Sequence, residues 1–290
     1  MGSVSTSPIT ARILVACPDT RGITAAVTGF IAERGGNLLD LDQHTVPDPG
    51  DFFLRAEFEP GTEDMDRIAM QDAFAEVAHR YGMAWRCGWS DTPRKVAIMA
   101  SRELHCLHDL LWRFNAGEMP GEIVAIISNH EAAGPTAANA GIPFHHLPIE
   151  NGDKTAQEAQ VASVLAETGA DLVVLARYMQ ILSNAFVEPR MDNIINVHHS
   201  FLPAFPGADP YRQAYERGVK MIGATAHYAT PELDEGPIIA QAVAQVSHHD
   251  SVEDLRRSGR ELERNVLAHA VRAHLEDRIL VTGNRTVVFR

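Results

Sequence analysis

Cysteine is scarce in this chain of 290 residues: only Cys17, Cys87 and Cys106 occur. An odd count with no Cys-x-x-Cys spacing excludes a disulfide framework and a structural zinc site, and suits buried thiols in a reducing compartment. Basic charge is short as well. Lys and Arg number 25 against 38 Asp and Glu, a formal net charge of −13. That argues against nonspecific binding to nucleic acid or to an anionic membrane surface, both of which want a basic face. No apolar run has the length of a membrane span and no signal peptide opens the chain, so a cytoplasmic protein is expected. Gly-x-Gly-x-x-Gly is missing from the first βα turn, and no P-loop occurs, which leaves little support for a dinucleotide or nucleoside triphosphate cofactor. Internal repeats and low-complexity tracts are also lacking. What is present is globular, at 45% hydrophobic and 22% charged residues, enough chain for two ordinary domains.

The pattern divides near residue 92. Residues 11–17 read as a strand, Pro18 to Gly22 as a turn, and Ile23 to Arg34 as a helix with apolar residues at helical spacing. Strands at 38–45 and 52–58 flank a turn at 47–51. A helix at 65–81 and a strand at 84–89 follow. The order βαββαβ is the ferredoxin-like pattern. After the linker Asp91-Thr92-Pro93, near-continuous apolar strands at 95–100, 122–128, 171–176 and 194–197 alternate with helices at 104–114, 131–140 and 154–168, with a short strand at 144–147. This alternation predicts a mostly parallel, doubly wound sheet. Residues 222–229 and 238–246 read as neighbouring strands. A long helix spans 252–275, where Ser251 and Asp254 match a capping box, and Gly283-Asn284 turns a terminal hairpin. The expected domains are therefore 1–91 and 92–290.

Ligands of open α/β sheets bind beyond the carboxyl ends of the strands. Four such ends are polar here: Ser101 to Glu103, Ser128 to His130, Arg177 to Gln180, and Asn196 to His199. Asn196 and His198 stand two apart at the end of an apolar run, so a strand aims both side chains the same way. An amide and an imidazole together suit a carbonyl oxygen that becomes negative. Asp234 could orient that imidazole and handle water. Adjacent histidines (145–146, 198–199, 248–249) point to opposite faces of a strand and cannot chelate from one, so no catalytic metal is expected.

Three blocks then carry a resemblance: Asn196-Val-His198-His-Ser-Phe-Leu-Pro-Ala-Phe, Gly223-Ala-Thr-Ala-His227-Tyr, and Leu233-Asp234-Glu-Gly236-Pro-Ile-Ile. Over residues 94–280 they are similar to the formyltransferase fold of folate enzymes, whose catalytic set is Asn-x-His followed about three dozen residues later by Asp. The first segment resembles the ACT domain, a regulatory module that often binds amino acids; Asp19 and Gly22 match where such effectors sit, with pairing into a homo-oligomer as the plainer role. As a whole the chain resembles the formyltetrahydrofolate deformylase family. His199 favours that branch, since the transferases usually have proline after the catalytic His. Ser101 to Leu107 favours it too, lacking the glycine-rich phosphate turn of the ribonucleotide transformylase.

The resemblance implies a hydrolase that converts 10-formyltetrahydrofolate and water to formate and tetrahydrofolate, balancing one-carbon pools for purine biosynthesis, with no cofactor beyond the folate substrate. It implies that Asn196, His198 and Asp234 are catalytic. Arg177, Tyr178, Met179, Gln180, Ile181, Leu182 and Ile194, with the loop Ala229, Thr230, Pro231, Glu232 and Leu233, would hold the pterin. His199, Thr225 and His227 would act through their neighbours. The alternatives are a folate-dependent formyltransferase with an amine acceptor, and a binding protein that senses folate or an amino acid.

Overall fold

The structure is a computed structural model that describes residues 8–47, 50–61, 66–202 and 210–290. Parts of three expected features (the turn at 47–51, the start of the helix at 65, and the Pro203 to Phe205 end of the first motif block) lie outside them. Two compact units emerge. The first comprises residues 1–93, 277–280 and 287–290, and the second 94–276 and 281–286. The terminal residues that the sequence pattern assigns to the second segment are thus shared between the units.

The first unit runs β1 (Ala11–Pro18), α1 (Ile23–Glu33), β2 (Asn37–Val46), β3 (Asp51–Glu59), α2 (Arg67–Tyr81) and β4 (Ala84–Trp89). Its antiparallel sheet has the order β2-β3-β1-β4, as the βαββαβ pattern requires. Alternation along β1 sends Ile13 and Val15 to the face that buries Val27, Phe30, Met70 and Phe74 from the helices. Leu14, on the other face, packs with Phe53, Leu280 and Phe289. Asp66 caps α2 by accepting from the backbone N–H groups of Ile68 and Ala69. Gly22, at the start of α1, has φ +96°, a conformation that costs a side chain dearly.

The second unit continues β5 (Arg94–Ala100), α3 (His105–Asn115), β6 (Gly121–Ser128), α4 (Gly134–Ala140), β7 (Phe144–His146), α5 (Lys154–Thr168), β8 (Leu172–Ala176), α6 (Asn184–Val187), β9 (Ile194–His198), α7 (Pro210–Arg217), β10 (Met221–Tyr228), β11 (Ile238–Gln245) and α8 (Val252–Leu275). A hairpin of β12 (Ile279–Thr282) and β13 (Arg285–Val288) closes the chain. The seven-stranded sheet has the order β11-β10-β9-β8-β5-β6-β7. Strands β7, β6, β5, β8 and β9 are parallel, and β10 and β11 join antiparallel. The expected mostly parallel sheet is present, and so is the Ser251–Asp254 capping box of α8. The sequence pattern does not predict helices α6 and α7. No helix among the described residues is long and apolar enough to cross a membrane.

Candidate active site

The carboxyl ends of β5, β8 and β9 lie side by side, because these strands are adjacent and parallel. Ser101, just past β5, ties its own loop to those after β6 and β8: its hydroxyl donates to Asn129 Oδ1 at 2.7 Å and accepts from the Met179 backbone N–H at 3.3 Å. Asn196 and His198 end β9 on one face, opposite His227 and Thr225 of antiparallel β10. Thr225 is fully buried and fastens the turn after β9, donating to Ser200 O at 3.0 Å and accepting from Leu202 N–H at 3.1 Å.

Asp234 arrives on the excursion between β10 and β11. That loop is pinched at its neck, where Tyr228 N–H donates to Pro237 O at 3.0 Å. Gly236 permits the pinch, since a Cβ there would lie 1.8 Å from Tyr228 O. Asp234 itself adopts φ +57°, a left-handed conformation that Asp tolerates better than most residues.

The loop delivers the Asp234 carboxylate to the imidazoles. Its Oδ2 lies 3.1 Å from His198 Nδ1 and its Oδ1 lies 3.6 Å from His227 Nε2. His227 Nδ1 donates to Tyr228 O at 2.9 Å, while its Nε2 stands 3.1 Å from Asn196 Nδ2. His227 Nε2 thus lies between the amide and the carboxylate, and in the tautomer whose Nδ1 donates to Tyr228 O it accepts from Asn196 Nδ2. Burial pushes the Asp234 carboxyl up, but hydrogen bonds and charge from His198 and His227 outweigh it and hold the group far below its ordinary value. It stays ionised throughout the neutral range. His198 Nε2 is buried and has no hydrogen-bond partner among the described residues. A buried nitrogen of this kind beside an asparagine amide makes a pair of groups chemically able to donate to a developing negative oxygen.

These groups open into a cavity of about 580 Å³. Asn196, His198, His199, His227 and Asp234 line it, as do Arg177 to Leu182 and Ala229, Thr230, Pro231 and Leu233. One side of it is apolar: Leu175, Tyr178 and Val187 are buried in the core beneath, and Leu182 and Ala229 pack against that core.

Two sequence profiles and several relatives match this architecture. The formyl transferase profile matches residues 94–271 and the ACT domain profile residues 11–69. The formyltetrahydrofolate deformylase of Bacillus subtilis is 47% identical, over 96% of this chain and 93% of its own length. That of Synechocystis is 51% identical, over 97% and 99%. The chain belongs to the formyltetrahydrofolate deformylase family. The crystal structure of a formyltetrahydrofolate deformylase from Pseudomonas syringae matches it with a TM-score of 0.95 at 45% identity, over 99% of this chain and 96% of that one. Glycinamide ribonucleotide transformylase 1 from Symbiobacterium toebii matches with a TM-score of 0.65 at 34% identity, over only 68% of this chain but 95% of its own. Whole-length similarity thus lies with the deformylases, and the transformylase shares one unit.

Within this family member, the expected residues separate by environment. Met179 and Ile181 are more than half exposed on the cavity rim, whereas Tyr178 is buried, its hydroxyl 2.6 Å from the donating Gln157 amide. Ile194 is wholly buried in the core and, like Glu232, is not among the residues lining the cavity. Thr225 does not line it either and acts on the turn after β9. The Arg177 side chain turns to carboxylates, 3.1 Å from Glu103 and 3.4 Å from Glu263. Asp19 is exposed, and its backbone N–H donates to Gly50 O at 2.7 Å.

Sequence reasoning missed Tyr211, Arg256, Arg260 and Glu263, all of which line the cavity. Glu263 left a readable signal. It shares the buried stripe of α8 with Leu255, Gly259, Val266 and Leu267, and a charge on an apolar helix face calls for a partner.

Proposed function

We propose that this chain hydrolyses 10-formyltetrahydrofolate to formate and tetrahydrofolate. The observation that carries the reading is the buried, unpaired His198 Nε2 beside Asn196, with His198 Nδ1 held by Asp234 at 3.1 Å. Water attacks the formyl carbon and the carbonyl oxygen becomes an alkoxide. The Asn196 amide and an imidazolium His198 donate to it, and preorganised donors of this kind are each worth about 10²–10³ in turnover. Asp234 keeps the Nδ1 proton in place and accepts a proton from the attacking water. The carbon–nitrogen bond then breaks as N10 of the folate is protonated. The pterin stacks on the apolar side formed by Leu182, Val187 and Ala229, under the loop that carries Asp234.

The scheme uses no metal and no cofactor besides the folate. His105, Cys106 and Glu263 do bring donor atoms within 4.8 Å of one another. However, the Glu263 carboxylate is already taken by His105 and Tyr211, and burial pushes the Cys106 thiol up, away from the thiolate a metal needs. The ACT-like unit is read as the place for an amino-acid effector at the Asp19–Gly22 turn and as a pairing surface for a homo-oligomer. A cytoplasmic location fits the substrate. The test is formate release in H₂¹⁸O with no amine present. One labelled oxygen per formate is expected. Product that forms only on adding an amine would mean transfer instead.

A further inference from the structure

The cavity has two unlike walls. Besides its apolar side, the cavity has a continuous set of polar side chains that starts at the imidazole of His198. The His199 ring lies edge-on to His198 at 5.0 Å and to Tyr211 at 6.4 Å. The Tyr211 hydroxyl donates to Glu263 Oε1 at 2.7 Å. Glu263 Oε2 meets His105 Nε2 at 2.8 Å and Arg177 Nε at 3.4 Å, and Arg177 reaches on to Glu103 at 3.1 Å. The Glu263 side chain is 1% exposed. Burial pushes its carboxyl up, yet His105, Arg177 and Tyr211 together bring it below the ordinary value. Even the helix yields to this arrangement: a Cβ on Gly259 would lie 2.1 Å from the Tyr211 hydroxyl.

A buried, charged cluster is a poor device for stability, because desolvation cancels most of the attraction. Its place suggests another use. The same Asn196 and His198 contacts would serve hydrolysis and transfer alike. In hydrolysis the water oxygen bonds to the formyl carbon, the bond to N10 breaks, and N10 takes up a proton. In transfer an amine nitrogen makes the bond and loses its proton, the bond to N10 breaks as before, N10 takes up a proton, and the product is a substituted formamide. The choice between them is therefore one of access. A cavity of about 580 Å³ is what one drug-sized ligand occupies, and the polar wall borders it next to the imidazole of His198.

We propose that His199, Tyr211, Glu263 and Arg177 form an acceptor-excluding wall that leaves room for water at His198 and Asp234 but none for a substituted amine. This rests on the hydrolase reading above and names what fixes its specificity. Locked by three partners, Glu263 neither moves aside nor offers a free oxygen to an incoming amine.

The experiment gives the protein 10-formyltetrahydrofolate with glycinamide and measures the ratio of formylglycinamide to formate by mass spectrometry. Wild type is expected to yield formate with no more than a trace of formylglycinamide, and that trace sets the reference ratio. Glu263→Ala is expected to raise the ratio at least tenfold. Tyr211→Leu opens the same wall while leaving Glu263 paired with His105 and Arg177, and is expected to raise it as well; it decides the matter where Glu263→Ala does not fold. Glu263→Gln keeps the volume and is expected to keep the wild-type ratio. Transfer by wild type beyond that trace, or a wild-type ratio in opened variants that still release formate, overturns the proposal alone. A wild type that releases no formate brings down the hydrolase reading, and the proposal with it.

Discussion

His199 packs against the rings of His198 and Tyr211, and its burial makes the stability of the protein sensitive to acid. Its pKa falls from the ordinary 6.5 to about 4, by desolvation first and then by the positive charge of Arg177 and His198. As pH drops through 6.5 the unfolded chain takes up a proton at this ring, whereas the folded protein does not do so until about 4. The stabilisation is therefore fully present above 6.5 and is lost on acidification between those values. Converted at about 1.4 kcal/mol per pH unit, it amounts to at most about 3 kcal/mol, and residual solvent at the ring cuts this toward about 2 kcal/mol. The perturbation is His199→Phe, which keeps a ring between His198 and Tyr211 and cannot titrate. Urea denaturation followed by circular dichroism at pH 7.5, 6 and 5 gives the unfolding free energy of both proteins. Wild type should lose stability over this range more steeply than the variant, by about 2 kcal/mol in total. The carboxyls of Asp234 and Glu263, held below their ordinary values, titrate below this window and do not blur it. Equal pH slopes in the two proteins would refute the reasoning.

Other substitutions probe other parts of the site. Asn196→Ala should cut turnover about 10²–10³-fold with little change in folate affinity, since it removes one donor to the alkoxide; steady-state kinetics with a binding titration checks this, and a loss confined to KM would count against it. Gly236→Ala should displace the Asp234 loop, because its Cβ meets Tyr228 O at 1.8 Å; turnover should fall with only a small drop in melting temperature, and full activity would contradict the pinched-neck geometry. Glu263→Gln should lower stability by about 3–5 kcal/mol, the usual consequence of leaving buried charged partners uncompensated; an unchanged urea midpoint would mean that His105 and Arg177 find other partners.

Much of this was legible in the residues. Alternation placed Asn196 and His198 on one face because β9 is a regular strand, and the apolar runs announced buried parallel strands. The surroundings of Tyr211 and Glu263 were not, for physical reasons. Helix α7 is only eight residues long, too short for periodicity to stand out, although Pro210 at its start and Gly218 just past its end are helix punctuation. Glu263 stood out as a charge on an apolar helix face, but its partners His105, Arg177 and Tyr211 come from distant segments that only the folded chain assembles. Ile194 shows the converse: a position that reads as pocket lining is sealed into the core, since one apolar strand residue looks like another until its neighbours are known.

The most direct measurement is formate release by Asp234→Asn beside its affinity for a folate analogue. The substitution keeps the shape of the side chain while removing the charge that holds His198 Nδ1 at 3.1 Å. A loss of at least about 10² in turnover with affinity preserved is expected, the usual worth of acid–base help. A variant that releases formate at the wild-type rate would contradict the assignment of these three residues to the chemistry.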